Sequence, residues 1–114
     1  MAYDEELAER IRRLLSGAGR EVTEKKMFGG LAFLVGGNMA IAASGQGGIL
    51  VRVDPAASDS LVAETPATVA VMRGRAMAGW LRVTSADVAD DAELAAWVER
   101  GAAYASSLPP KGAG

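Results

Sequence analysis

The first residues of the chain carry apolar side chains at a helical period. Leu7, Ile11 and Leu14 recur three or four residues apart within residues 4–16, which places them on one face of an amphipathic helix. Acidic residues stand at the start of this segment, where they complement the helix dipole, and Gly17 follows as a stop signal. The pattern therefore predicts a helix that buries one apolar stripe.

After residue 27 the apolar residues alternate, which is typical of strands. Two alternating runs flank the sequence GGN at residues 36–38, and this arrangement indicates a β-hairpin. A two-residue loop would set Asn38 beside the apolar row, so we prefer a three-residue loop at 36–38. The resulting pairs are Leu31 with Ala43, Phe33 with Ile41 and Val35 with Met39.

The remaining chain predicts one more strand, a short helix, two further strands and a final helix. These elements cover residues 49–53, 56–62, 67–72, 77–83 and 91–107. Asp54 and Pro55 form a start signal for the short helix, since Asp caps a helix end and Pro fits the first helical position. The final helix buries a stripe that includes Leu94, Trp97 and Gly101.

The order of elements, α-β-β-β-α-β-β-α, predicts a single α+β domain over residues 1–114. Because the connections between strands are too short for parallel crossovers, the five-stranded sheet should be mainly antiparallel. Three helices for five strands favour two layers, with helices on one face of the sheet and the other face partly open. The glycine-rich tail after residue 108 is expected to be flexible. The expected core joins Leu31, Phe33 and Ile41 of the hairpin to Leu7, Ile11, Leu94 and Trp97 of the helices.

The composition excludes most kinds of catalytic and metal-binding site. The chain has 114 residues and contains neither cysteine nor histidine, which excludes disulfides, zinc fingers, Cys–His pairs and Ser–His–Asp triads. Acidic residues cluster between residues 87 and 93, where capping of the final helix explains them better than a metal does. We therefore expect a protein that is not an enzyme and that holds no metal and no cofactor.

No segment predicts membrane insertion or export. Residues 1–13 are densely charged, unlike the apolar centre of a signal peptide. Glycines interrupt the weakly polar run over residues 27–43, which is therefore unsuited to a spanning helix. The expected location is the cytoplasm, without contact to a membrane.

Positive charge is concentrated in the predicted strands although the net charge of the chain is −2. Residues 25–53 contain basic residues and no acid, and the same is true of residues 72–82. Together with the tryptophan of the last strand, these basic residues form the candidate binding group. Its members are Lys25, Lys26, Arg52, Arg73, Arg75, Trp80 and Arg82.

Three interpretations of this candidate group stay open. Trp80 can be a core residue, expected to be at least half buried, with the arginines as solvated charges at sheet edges. Arginine and tryptophan are also enriched at the centres of protein interfaces. On an open sheet face, the same residue types can stack on and neutralise a nucleic acid. For Arg75, either a distant carboxylate, such as Asp4 or Asp91, or a bound partner would balance the charge.

Two segments of the chain resemble signatures of the TfoX/Sxy family of competence regulators. Residues 25–33 read KKMFGGLAF, which is similar to the start of the first hairpin in TfoX N-terminal domains. Residues 74–80 read GRAMAGW, which is similar to the second signature of that family, at its last strand. The resemblance covers nearly the whole chain and implies a two-layer fold similar to type III secretion chaperones.

The resemblance also implies a bacterial, non-enzymatic role in regulating competence and transcription through protein–protein contacts. The partner expected on this basis is a protein, either of another kind or a second copy of the chain. The alternative is a weak nucleic-acid-binding domain that uses a basic sheet face and loses affinity steeply as salt rises. Longer members of the family carry a further helical domain, so the resemblance concerns the N-terminal domain alone.

Overall fold

The computed structural model describes residues 3–17, 22–27, 29–72 and 74–109. Within these residues the chain forms three α-helices, which are α1 (Glu5–Gly17), α2 (Pro55–Glu64) and α3 (Asp91–Ser107). It also forms six strands, which are β1 (Val22–Met27), β2 (Gly30–Val35), β3 (Asn38–Ala43), β4 (Ile49–Arg52), β5 (Thr68–Met72) and β6 (Arg75–Val83). A short 3₁₀ turn, Ala86–Val88, leads into α3.

The described strands form one antiparallel sheet with the order β1-β2-β3-β4-β6-β5. The α+β class and the antiparallel sheet are confirmed. The prediction of five strands is wrong, because the sequence pattern gives no strand before residue 27 and β1 lies there. The helices are also not clearly gathered on one face: α1 and α3 pack against β3, whereas α2 packs against β6 and β5.

The edge strand β1 is fixed to the sheet by an ion pair with α1. Four of its six residues, at positions 23–26, are exposed. Arg12 of α1 donates from Nε and Nη2 to the two carboxylate oxygens of Glu24, at 2.5 and 2.8 Å, and its Nη1 donates to Glu9. These hydrogen bonds from Arg12 hold the pKa of the Glu24 carboxyl below its usual value. A bidentate pair thus supports a strand that buries little apolar surface.

The hairpin between β2 and β3 closes with a two-residue turn rather than with the expected three-residue loop. Gly36 and Gly37 have φ of 61° and 81°, the left-handed values that a tight hairpin turn requires. Asn38 follows directly and is buried. Its polar side chain is accommodated because Nδ2 donates to the Pro109 carbonyl at 2.9 Å.

A bulge in β3 changes the expected register of this hairpin. The pairs are Leu31 with Ala43, Phe33 with Ile41, Leu34 with Met39 and Val35 with Asn38. The first two are as predicted, whereas the pairing of Val35 with Met39 is wrong. Ala40 is left as an extra residue between two paired positions, and a β-bulge of this kind turns the following side chains to the other face. Met39 accordingly packs away from the main core.

The main apolar core lies between the helices and one face of the sheet. Its largest fully buried side chains are Trp97, Phe33, Ile11, Leu15, Ile41, Ile49, Leu81 and Leu94. The seven residues that the helical and strand periods place in the core all belong to it. The periodic signals of α1, α3 and the hairpin therefore predict the packing correctly.

Aspartates cap the starts of α2 and α3, as predicted. Asp54 accepts a hydrogen bond from the backbone N–H of Ala56, at the start of α2. Asp90 accepts one from Ala92 at the start of α3, which confirms capping for this member of the acidic cluster. Each described helix is too short or too polar to cross a membrane.

Helix α3 approaches the sheet very closely at Gly101. A Cβ atom at this position would lie 2.4 Å from the carbonyl oxygen of Ala40 and 3.0 Å from Cγ2 of Val51. The first distance is too short for a contact between nonbonded heavy atoms. Glycine is therefore required for α3 to lie at this depth over the bulge of β3.

Gly101→Ala should destabilise the protein by about 1–3 kcal/mol, because the backbone of β3 must move to admit a methyl group. Gly17→Ala is the matched control: nothing lies within 4 Å of a Cβ at that position, and alanine is the better helix former. Urea unfolding followed by circular dichroism measures both variants. Equal stabilities would show that α3 can move away from β3 without cost.

Glu24→Gln should lower the stability at neutral pH and leave it unchanged in acid. The folded-state pKa of Glu24 lies below the ordinary value. The ion pair therefore stabilises the fold above the unfolded pKa, and this contribution is lost as the pH falls through the folded pKa. The difference between the unfolding midpoints of wild type and variant should begin to shrink as the pH falls through the ordinary glutamate pKa of about 4.3, and it should vanish below the folded-state pKa. A constant difference between neutral and acidic pH would contradict this role of Glu24.

Candidate functional site

A row of directly opposed residues crosses the sheet on the side away from the main core. One residue comes from each strand, in sheet order: Lys25, Ala32, Ala42, Leu50, Arg82 and Thr68. Directly opposed side chains of antiparallel strands lie on the same face. We call this side the second face; its row carries cations at Lys25 and Arg82 and an apolar centre between them.

The second face has a small apolar cluster of its own. Ala32, Met39, Ala42, Leu50 and Ala70 are buried in it, and Met27, Leu34 and Trp80 lie at its margin. All of these residues belong to strands, and none of the described helices contributes to the cluster. The side of the sheet that the sequence predicts to be partly open is therefore apolar at its centre.

Gly79 allows Trp80 to reach this cluster. Its φ is 87°, and a Cβ there would lie 3.0 Å from the Val53 carbonyl oxygen and from Cγ of Pro55. A glycine is favoured at such a position, because few side chains tolerate this φ and the space is occupied. Trp80 itself is partly buried, so the expectation that at least half of it is buried is confirmed.

Arg52 lies against two aromatic rings at the end of β4. Its guanidinium carbon is 5.2 Å from the ring centroid of Trp80, the residue directly opposite on β6, and 5.7 Å from that of Tyr104 on α3. Contact with both rings gives cation–π attraction and restricts the orientation of the planar group. We call these three residues the Arg52 patch. The sequence did not predict Tyr104 as part of the candidate site. The one signal that could have identified it is its position about one helical turn after Gly101.

Arg82 is partly buried and makes one hydrogen bond within the described chain: its Nη1 donates to Ser44 Oγ at 3.1 Å. Among the described residues, ion pairs are formed by three arginines of α1, which are Arg10, Arg12 and Arg13. Neither Arg52 nor Arg82 has a carboxylate partner among the described residues. The second face therefore carries two guanidinium groups whose charge no described carboxylate neutralises.

The lysines of the candidate group lie on opposite sides of the edge strand. Lys25 is opposite Ala32 and belongs to the second face, where it is exposed. Lys26 is opposite Leu31, which belongs to the main core, so this lysine lies on the helix side. Lys26 is thus separated from the two arginines of the second face.

Arg75 is exposed at the start of β6 and has no partner among the residues that the structure describes. The two carboxylates considered for it are engaged elsewhere. Asp91 accepts hydrogen bonds from Arg10 at 2.8 and 3.2 Å, and Asp4 caps α1 by accepting from backbone N–H groups. Arg73 lies outside the described residues.

A family model for the TfoX N-terminal domain matches residues 13–105. The chain belongs to this family. The match covers most of the sequence, from the last part of α1 to the last turn of α3, and it confirms the resemblance carried by the two signature segments. Neither a curated protein nor a solved structure matches the chain significantly, so the similarity of this TfoX domain to secretion chaperones stays a prediction.

The second face of the TfoX domain contains a cavity of about 270 Å³. Met27 of β1 and Val71 of β5 both line it, although these strands are the two edges of the sheet. The sheet must therefore curve so that its edges approach each other across the second face. Ser44 and Arg82 form part of the wall.

Trp80→Ala should destabilise the TfoX domain by about 1–3 kcal/mol, less than a fully buried tryptophan would, because the ring lies at the margin of its cluster. The matched control is Arg75→Ala, which should change the stability by no more than about 0.5 kcal/mol, since its side chain is exposed. Thermal unfolding measures both. A loss above about 2 kcal/mol for Arg75→Ala would reveal a broken ion pair and contradict its description as unpaired.

Proposed function

We propose that this TfoX domain is a non-enzymatic regulatory domain that acts by binding another protein through its second face. The observation that carries the proposal is the pair of partly buried guanidinium groups, Arg52 and Arg82, which flank Trp80 and have no carboxylate partner among the described residues. A partly buried charge without a counterion gains stabilisation when a bound partner supplies a carboxylate. The second face is therefore suited to a surface that carries acidic side chains.

The residue types of the Arg52 patch favour a protein as this partner. Tryptophan, tyrosine and arginine are the residues most enriched at the energetic centres of protein interfaces. The rings of Trp80 and Tyr104 also hold the guanidinium of Arg52 before binding, which lowers the entropy that association costs. Apolar side chains of the second cluster would surround this centre and exclude water.

Membership of the TfoX family supports a regulatory role in bacterial competence and transcription, exerted in the cytoplasm. The lack of cysteine and histidine supports a role without catalysis, because the common nucleophile and base pairs cannot be built. The partner is either another protein or a second copy of this domain. Either partner would bind to the second face.

A nucleic acid is the second candidate partner. Lys25, Arg52 and Arg82 lie on one sheet face with Trp80, and aromatic rings between cations bind single-stranded nucleic acids in other folds. The net charge of −2 weighs against it, since the phosphate backbone would be repelled by the chain as a whole. Any such binding should be weak and should weaken further as salt rises.

Charge reversal at Arg52 should strongly weaken partner binding, while the same reversal on α1 should not. The immobilised domain is used to capture proteins from a lysate of the source organism, and captured proteins are quantified by mass spectrometry. A partner held by the wild type should decrease at least about tenfold with Arg52→Glu, because repulsion replaces an ion pair at the interface. Arg13→Glu is the matched control, since Arg13 is exposed on α1 and gives the same change in net charge.

Two outcomes would count against the proposal, and another would identify the partner. If Arg52→Glu and Arg13→Glu captured the same proteins in the same amounts, the second face would not be the binding surface. A stable dimer of the purified domain, lost with Arg52→Glu, would identify a second copy as the partner. Tight binding of an oligonucleotide at physiological salt, measured by fluorescence anisotropy, would favour the nucleic-acid function instead.

A further inference from the structure

The cavity on the second face has apolar walls and a cationic side chain at one side. Its volume is about 270 Å³, and its walls include Met27, Met39, Ala42, Leu50, Val71 and Arg82. Most of these side chains belong to the second apolar cluster or lie at its margin. The cavity is therefore a recess in the sheet surface rather than a gap in the main core.

The guanidinium of Arg82 is the charged group of this recess. It carries five N–H donors, and within the described residues it uses one of them, toward Ser44 Oγ at 3.1 Å. Its row on the sheet contains no acid, so no carboxylate of the row compensates its charge. Two adjacent N–H groups of an arginine match the two oxygens of a carboxylate.

The size of the recess limits what it can hold. Its volume, about 270 Å³, lies near the lower end of the usual range of small-molecule pockets, about 300–1,000 Å³, so a small ligand suits it best. Met27 and Met39 are unbranched and flexible, so their thioether chains can adapt around an aliphatic group. A short hydrocarbon chain with one anionic end satisfies both the walls and the arginine.

We propose that this recess binds a small monocarboxylate with an aliphatic tail. The carboxylate accepts hydrogen bonds from Arg82, and the tail lies among Met27, Met39 and Leu50. Such a ligand contacts strands at both edges of the sheet, since Met27 is on β1 and Val71 is on β5. The recess lies on the same face as the proposed protein-binding surface and shares Arg82 with it, but Arg52, Trp80 and Tyr104 do not line it.

Hexanoate is the probe, and 1-hexanol is its uncharged counterpart. The domain is labelled at its methionine methyl groups and titrated with each compound by NMR. Hexanoate should shift the methyl signals of Met27 and Met39 saturably, and 1-hexanol should bind at least about tenfold more weakly because it forms no charge-assisted hydrogen bond. Equal affinities for the two compounds, or no saturable shift with hexanoate, would overturn the proposal.

Arg82→Gln tests the role of the guanidinium. Glutamine keeps a donor toward Ser44 but removes the charge, so the variant should lose the preference for hexanoate over 1-hexanol. Arg75→Gln is the matched control, since that arginine is exposed and does not line the recess, and it should keep the wild-type preference. If Arg82→Gln retained the preference, the anion site would not be Arg82 and the proposal would fail.

A second variant tests the location without altering any charge. Val71 is 61 % exposed and lines the mouth of the recess, so Val71→Trp should fold normally and fill part of the space. Hexanoate affinity should fall at least about fivefold. Unchanged affinity would place the bound hexanoate elsewhere on the domain. A series of longer carboxylates gives a second check. If the affinity continued to rise with chain length up to dodecanoate, the ligand would adsorb to an open surface rather than fill the recess, because such adsorption has no size limit.

Discussion

The contact between Gly101 and the bulged backbone at Ala40 is the constraint on which the rest of the structure depends. It brings α3 close to β3 and β4, so that a core with few aromatic rings can still close around Trp97 and Phe33. One helical turn later the same helix places Tyr104 against Arg52, and beyond its end the Pro109 carbonyl accepts a hydrogen bond from Asn38. A single close approach thus connects the core, the hairpin turn and the candidate site.

The elements that the sequence predicts correctly are those whose own side chains carry a period. α1, α3 and the β2–β3 hairpin each bury one stripe or one alternating row, and their core residues follow from that spacing alone. β1 has no such row, because the segment VTEKKM has apolar residues mainly at its ends and exposed polar ones between them. Its stability comes from pairing with β2 and from the ion pair of Arg12 with Glu24, contacts that no local pattern encodes.

The same distinction explains how much of the candidate site could be predicted. Alternation along β4 and β6 places Arg52, Trp80 and Arg82 away from the core, and they share a face because Arg52 and Trp80 are opposed. The contact with Tyr104 and the recess depend instead on the bulge in β3 and on the curvature of the whole sheet. These features arise from the packing of distant segments, so spacing within one strand could not predict them.

The net charge of −2 hides an uneven distribution that bears directly on binding. Several acidic side chains of the helical side are engaged close to where they lie: Asp54 and Asp90 cap helices, and Glu24 pairs with Arg12. Residues 25–53 contain no acid, and screening limits charge effects to about 8–10 Å at moderate salt. The cations of the second face are therefore not offset by distant acids. A partner with acidic side chains would be attracted to this face and repelled by the acidic helices. The uneven charge would therefore orient the partner as it approaches, and this effect would be larger than its contribution to the affinity of the complex.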